Sequence, residues 1–101
     1  MAKRVFISVP MAGKHEDDIY KEIYNAQQEY RALHPNEEIE FVDNYYVIHA
    51  DTLPLSHPAL LYLGEAIKKM SSCDDVFFYG DWENARGCKV EKLVYDLYFA
   101  T

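Results

Sequence analysis

The sequence predicts an α/β fold: a three-layer, Rossmann-like or flavodoxin-like parallel sheet, shortened to about three strands and carrying three helices. Two observations predict it. Short runs rich in β-branched and aromatic residues alternate with stretches of helical period in the order β-α-β-α-β-α, and the right-handed crossover rule turns that order into a parallel sheet covered by helices. The 101 residues, half of them apolar with only four Gly and four Pro, suit a single domain spanning 1–101 and exclude disordered, collagen-like and low-complexity readings.

The first strand is Val5 to Val9, a continuous β-branched and aromatic run stopped by Pro10 and followed by Gly13. From Asp17 the apolar positions Ile19, Ile23, Ala26, Tyr30 and Leu33 recur at steps of four, three, four and three, one stripe of a helix. Glu16, Asp17 and Asp18 sit in its first turn, where the helix dipole favours negative charge, and His34-Pro35-Asn36 stops it. Residues 39–43 form the second strand, and 44–58, with two prolines and no sustained period, a long loop of the kind that often carries function. The second helix runs from His57 or Pro58 to Ser71 with Leu60, Leu63, Ile67 and Met70 on one side, Pro58 suiting its first turn. The third strand is Asp75 to Tyr79, closed by Gly80. A last helix begins between Asn84 and Gly87 and is expected to turn Val90, Leu93, Val94 and Leu97 inward.

Seventeen acidic residues against ten Lys or Arg leave a formal charge of −7, which argues against a nucleic-acid polymer as partner, since phosphate contacts are made chiefly by basic side chains. Apolar runs fall far short of the roughly 20 residues that span a bilayer. The N-terminus lacks a signal-peptide core and cleavage site, so the expected compartment is the cytoplasm, with no membrane partner. Cys73 and Cys88 lie fifteen positions apart without a second pair, which suits small buried or half-buried thiols better than a disulfide or a zinc site. His15, His34, His49 and His57 show no metal spacing, leaving turn, cap or surface roles.

Parallel sheets bind ligands outside the carboxyl ends of their strands, which singles out two loops. One is Ser8-Val9-Pro10-Met11-Ala12-Gly13-Lys14, whose small residues would admit a ligand to the backbone; it is neither a GxGxxG fingerprint nor a P-loop, so nicotinamide cofactors and ATP are not indicated. The other is Gly80-Asp81-Trp82-Glu83-Asn84-Ala85-Arg86-Gly87-Cys88. Here Asn84 is expected to cap a helix whose free amides welcome an anion, Trp82 offers a flat apolar face, and Arg86 adds a fixed positive charge. Glu91 follows about one and a half turns into the helix. Beside Val90, Leu93 and Val94 its carboxylate would lean toward a pocket; spacing alone favours a solvated residue paired to Lys92 or to a side chain one turn away. Asp74-Asp75 marks the turn before the third strand.

Phe6 through Lys14, Tyr62-Leu63-Gly64-Glu65-Ala66-Ile67 through Met70-Ser71, and Gly80 through Cys88 with Glu91 resemble the small proteins grouped near the nucleoside 2-deoxyribosyltransferases, many of them from phages and bacterial mobile elements. The resemblance covers nearly the whole chain. It implies cleavage of a nucleoside or nucleotide N-glycosidic bond, or deoxyribosyl transfer, without metal or organic cofactor. A Glu in the helix after the second loop, Glu91 by motif position, would attack the anomeric carbon. Asp81 and Glu83, with Glu65 a weaker choice, are candidates for the acid or for orienting sugar hydroxyls. Ser8, Pro10, Met11 and Gly13 would line the sugar or phosphate side, and Trp82, Asn84, Arg86, Gly87 and Cys88 would shape the rest. Six positions before the nucleophile, characterised relatives tend to carry Asp or Ser; Ala85 stands here, as in the small relatives, which implies a different substrate or a non-catalytic nucleotide-binding or interaction module. Relatives also continue into further strands, so an exposed sheet edge and apolar surface near Tyr95, Leu97, Tyr98 and Phe99 imply a homo-oligomer whose neighbouring subunit completes the pocket.

Overall fold

The computed structural model describes residues 2–42 and 56–99. They form β1 (Lys3–Ser8), α1 (Glu16–Leu33), β2 (Ile39–Val42), α2 (Pro58–Met70), β3 (Asp75–Phe78), a single 3-10 turn (Trp82–Asn84) and α3 (Arg86–Tyr98). Both pairings of β1 are parallel, and the sheet order is β2-β1-β3. The α/β architecture read from the sequence is therefore the observed one. Asp43, His49 and most of the expected 44–58 loop lie outside the described residues.

The two-residue period of β1 sorts its side chains between two layers. Val5, Ile7 and Val9 pack with Ile19, Ile23, Ala26 and Tyr30 of α1. Phe6 turns to the other face, where it joins Ala66 and Met70 of α2, Val76 of β3, and the flanking Val94, Tyr95 and Phe99. Each large apolar side chain enclosed this way contributes roughly 1.5–3 kcal/mol. The same period places Ser8, 1 % exposed, on the face covered by α2 and α3.

At the amino ends of the strands the layers are tied by polar bonds. The Asp75 carboxylate accepts the Tyr30 hydroxyl at 2.7 Å from α1 and the Tyr95 hydroxyl at 3.2 Å from α3. Burial first, then the carboxylate beside it, pushes the Tyr30 pKa far above its usual range. Asp74 accepts the Arg4 backbone N–H at 2.8 Å, and the Arg4 guanidinium reaches Ser72 O at 2.9 Å. Asp74-Asp75 thus does more than mark a turn: it fastens β3 to β1 and to both helical layers.

Several expected core positions are corrected. Leu33 and Leu60 are exposed, each at an end of its helix. On α3 the inward stripe is Cys88, Glu91 and the flanking Val94 and Tyr95, whereas Val90, Leu93 at 58 % and Leu97 at 61 % face outward. The 100° step per residue explains this: Val90, Leu93 and Leu97 share one face, and Cys88, Glu91 and Tyr95 share the nearly opposite one. Both stripes have helical spacing, and the one lying on β3 is the one containing the carboxylate.

Candidate functional site

With β2 and β3 on opposite sides of β1, the connections leaving β1 and β3 diverge, and the crevice between their carboxyl ends is the topological switch point of the sheet. Ser8 ends β1 there, Gly80 lies just past β3, and α3 starts beside both.

Glu91 is 8 % exposed, and among the described residues no cation pairs with it. Lys92 bonds instead to Asp96 at 2.5 Å, which removes the solvated, ion-paired alternative. Helical side chains tilt toward the helix N-terminus, so the carboxyl leans back over the first turn: a Cβ on Gly87 would lie 3.7 Å from Glu91 Oε2. Burial raises the Glu91 pKa from 4.5 to about 7, with Ser8 pulling weakly the other way. Ser8 Oγ is enclosed and has no hydrogen-bond partner of ordinary geometry, although it lies close enough to lower both Glu91 and the Cys88 thiol. A buried hydroxyl without a partner costs stability. Cys88 is itself buried, and desolvation pushes its thiol up to about 11, with Glu91 and Glu22 adding to the rise.

The start of α3 is open. Its cap position is Ala85 with no side-chain bond, and the Lys89 N–H is the first to bond back, to Ala85 O at 3.0 Å, so the amides of Arg86, Gly87 and Cys88 precede the helical ladder. The expected capping by Asn84 is corrected: its amide donates to Asp81 Oδ1 at 2.6 Å and closes the 3-10 turn. No acidic residue occupies the first turn of α3.

Glu22 of α1, which the sequence reading did not single out, joins the site. Its carboxylate pairs with Lys14 Nζ at 2.5 Å and lies against Gly80, where a Cβ would clash with Glu22 Oε1 and lie 3.7 Å from Pro10 Cδ. Gly80 has φ +72, a conformation natural to glycine, and its missing side chain makes the space for that carboxylate. Glu22 follows Ile19 by three and precedes Ala26 by four, so it sits on the shoulder of the buried stripe; that spacing was the available signal.

The other expected site residues divide. Pro10 and Met11 are half-buried at the end of β1, and Gly13, with φ +75, turns the chain so that Lys14 N–H bonds to Met11 O at 3.2 Å. Trp82 lies half-buried with its ring 5.2 Å from that of Phe78, which is a packing contact. Asp81 and Glu83 are exposed, and Asp81 accepts a hydrogen bond from Asn84. Arg86 is exposed in the first turn of α3, and Glu65 is half-buried on α2. His15 and His57 hold helix cap positions, and His34 ends α1 stacked on Tyr30 at 4.2 Å. Among the described residues no group of three or more His, Cys, Asp or Glu could hold a metal ion. A shallow apolar concavity lined by Ile67, Met70, Val94, Tyr98 and Phe99 lies between the far ends of α2 and α3, away from Glu91. No helix among the described residues is long and apolar enough to cross a membrane.

Residues 3–97 match the family model described as Domain of unknown function (DUF4406), nearly the whole chain, and the chain belongs to that family. Neither the curated proteins nor the solved structures yield a match.

Proposed function

We propose that this DUF4406 chain cleaves, or transfers deoxyribose across, the N-glycosidic bond of a nucleoside or nucleotide, with Glu91 as the nucleophile. The observation that supports the reading is a buried carboxyl at the switch-point crevice that has, among the described residues, no cation beside it, next to a buried hydroxyl with no hydrogen-bond partner among them. Structural carboxylates in helices are ordinarily solvated or paired, and Glu91 is neither. In the proposed step a Glu91 oxygen bonds to C1′ as the C1′–N bond breaks; the electron pair leaves with the base, which takes up a proton. Water, or a second base, then attacks C1′ and restores the carboxylate. Only the ionised form is a nucleophile, so kcat/KM should rise with pH through about 7.

A second reading, a non-catalytic nucleotide-binding module, is supported by the exposure of Asp81 and Glu83 and the engagement of Asp81 by Asn84. Incubation with a panel of nucleosides and their 5′-monophosphates, read as free base by chromatography, separates the two. Release by the wild type and none by Glu91→Gln supports the enzyme. Equal release by both removes Glu91, and thermal stabilisation without release supports the binder.

The same reading carries a cytoplasmic location and a homo-oligomer. The outward stripe Val90, Leu93 and Leu97, with Tyr98, supports the latter, and a monodisperse monomer by light scattering at micromolar concentration would contradict it.

A further inference from the structure

We propose that Asp75 and Tyr95 are positioning residues for Glu91: their hydrogen bond at the amino edge of the sheet fixes the roll of α3 about its axis and so keeps the Glu91 carboxyl in the crevice at the other edge. The purpose of that hold rests on the nucleophile reading of Glu91; the hold itself is measurable without it.

Burial alone would turn α3 the other way. As it lies, the helix encloses the Glu91 carboxyl at 8 % exposure and leaves Leu93 at 58 % and Leu97 at 61 % in water. The two stripes lie on nearly opposite faces, about 160° apart at 100° per residue, so a roll of the helix would exchange a desolvated carboxyl for two leucines. Both halves of that exchange are favourable, since the carboxylate regains its hydration and aliphatic surface leaves water. A conflict of this kind between local pattern and fold marks a place where a specific contact holds a functional group.

Among the described residues the polar tie from α3 to the sheet is the Tyr95 hydroxyl, which donates to Asp75 Oδ1 at 3.2 Å. Tyr95 follows Glu91 by four residues, about 6 Å along the axis and about 40° around it, so the place of one sets the direction of the other. The acceptor is itself held. Asp75 Oδ1 also takes the Val76 N–H at 2.9 Å, Oδ2 takes the Tyr30 hydroxyl from α1 at 2.7 Å, and Lys3 Nζ stands 3.9 Å from Oδ2. The Tyr95 ring packs edge-on against Phe78 at 5.8 Å and stacks on Phe99 at 5.2 Å. These ring contacts survive in Tyr95→Phe, which removes the hydrogen bond alone.

The test is carboxyl footprinting of the full chain with a carbodiimide and glycine ethyl ester, read by digestion and mass spectrometry, with exposed Asp81 and Glu83 as internal references. Glu91 is expected to be protected in the wild type. Tyr95→Phe should raise its labelling rate at least about tenfold, the equilibrium equivalent of one hydrogen bond to a charged group. Two controls should leave Glu91 protected. Asp75→Asn keeps an oxygen for the Tyr95 hydroxyl, and Tyr30→Phe removes the other hydroxyl from the same carboxylate, so a loss of stability alone does not imitate the effect. Circular dichroism establishes that each variant is folded. Glu91 protected alike in wild type and Tyr95→Phe, or labelled alike in Tyr95→Phe and either control, overturns the proposal. The two readings fail separately. Labelling of Glu91 in Tyr95→Phe with no base released by the wild type sustains the positioning and refutes the nucleophile, and base release that Glu91→Gln abolishes, with Glu91 protected in Tyr95→Phe, does the reverse.

Discussion

Glu91→Gln should stabilise the fold at alkaline pH and leave it nearly unchanged in acid. The carboxyl titrates near 4.5 in the unfolded chain and about 7 in the folded one, so between those values the folded state binds the extra proton. Stability then falls as pH rises from 4.5 to 7 and is flat beyond, because ν_U − ν_N is negative in that window. The difference of two to three pKa units at about 1.4 kcal/mol each amounts to about 3 kcal/mol. Gln, isosteric and never charged, does not incur that cost. The assay is urea or thermal unfolding of wild type and variant at pH 4 and pH 8. Any packing difference between the two side chains is common to both pH values, so the change in ΔΔG between them isolates the charge. For a domain of this size about 3 kcal/mol corresponds to roughly 10–20 °C in Tm. Equal ΔΔG at both pH values would refute the argument that the carboxylate is desolvated and unpaired. Destabilisation of the variant only at pH 8 would do so more sharply, since that is the behaviour of a broken ion pair.

Three further outcomes follow from particular contacts. Gly80→Ala should cost about 1–2 kcal/mol from its left-handed backbone alone, and displacement of Glu22 should also free Lys14; urea unfolding beside a Gly80→Ala, Glu22→Ala double variant separates the two effects. Tyr30→Phe should destabilise by about 2 kcal/mol in the same assay, because a buried hydroxyl bonded to a carboxylate is lost. Native chain exposed to Ellman's reagent at pH 8 should react first at half-buried Cys73, with Cys88 reacting only after denaturation, since its thiol is enclosed and raised to about 11.

The period of α1 and the alternation of β1 made the two-faced sheet legible, because each pattern has one strong solution. Residues Ile19, Ile23, Ala26 and Tyr30 could be placed from spacing, and so could the carboxyl-edge location of Ser8. α3 was ambiguous for a physical reason. Its residues form two stripes on nearly opposite faces, about 160° apart at 100° per residue, and the stripe with more aliphatic residues faces outward. The lean of Glu91 toward the interior is as expected, while its neighbours Val90 and Leu93 face outward, and the pattern that buries it is Cys88, Glu91, Tyr95. Asp81, Glu83 and Asn84 looked like site residues from their position in the loop; the hydrogen bond between Asp81 and Asn84 that closes the 3-10 turn links side chains three apart, which composition does not distinguish from a helix cap. Glu22 escaped notice because its role depends on Gly80, 58 positions later in the chain.

The direct test of the account is covalent trapping. A 2′-deoxy-2′-fluoro nucleoside or its 5′-monophosphate, whose fluorine disfavours the oxocarbenium-like transition state of hydrolysis, is incubated with the chain and the product is digested for mass spectrometry. The account predicts a glycosyl adduct on the peptide carrying Glu91, absent from Glu91→Gln. Base release from ordinary substrates with the adduct on another residue, or persisting in Glu91→Gln, would contradict it.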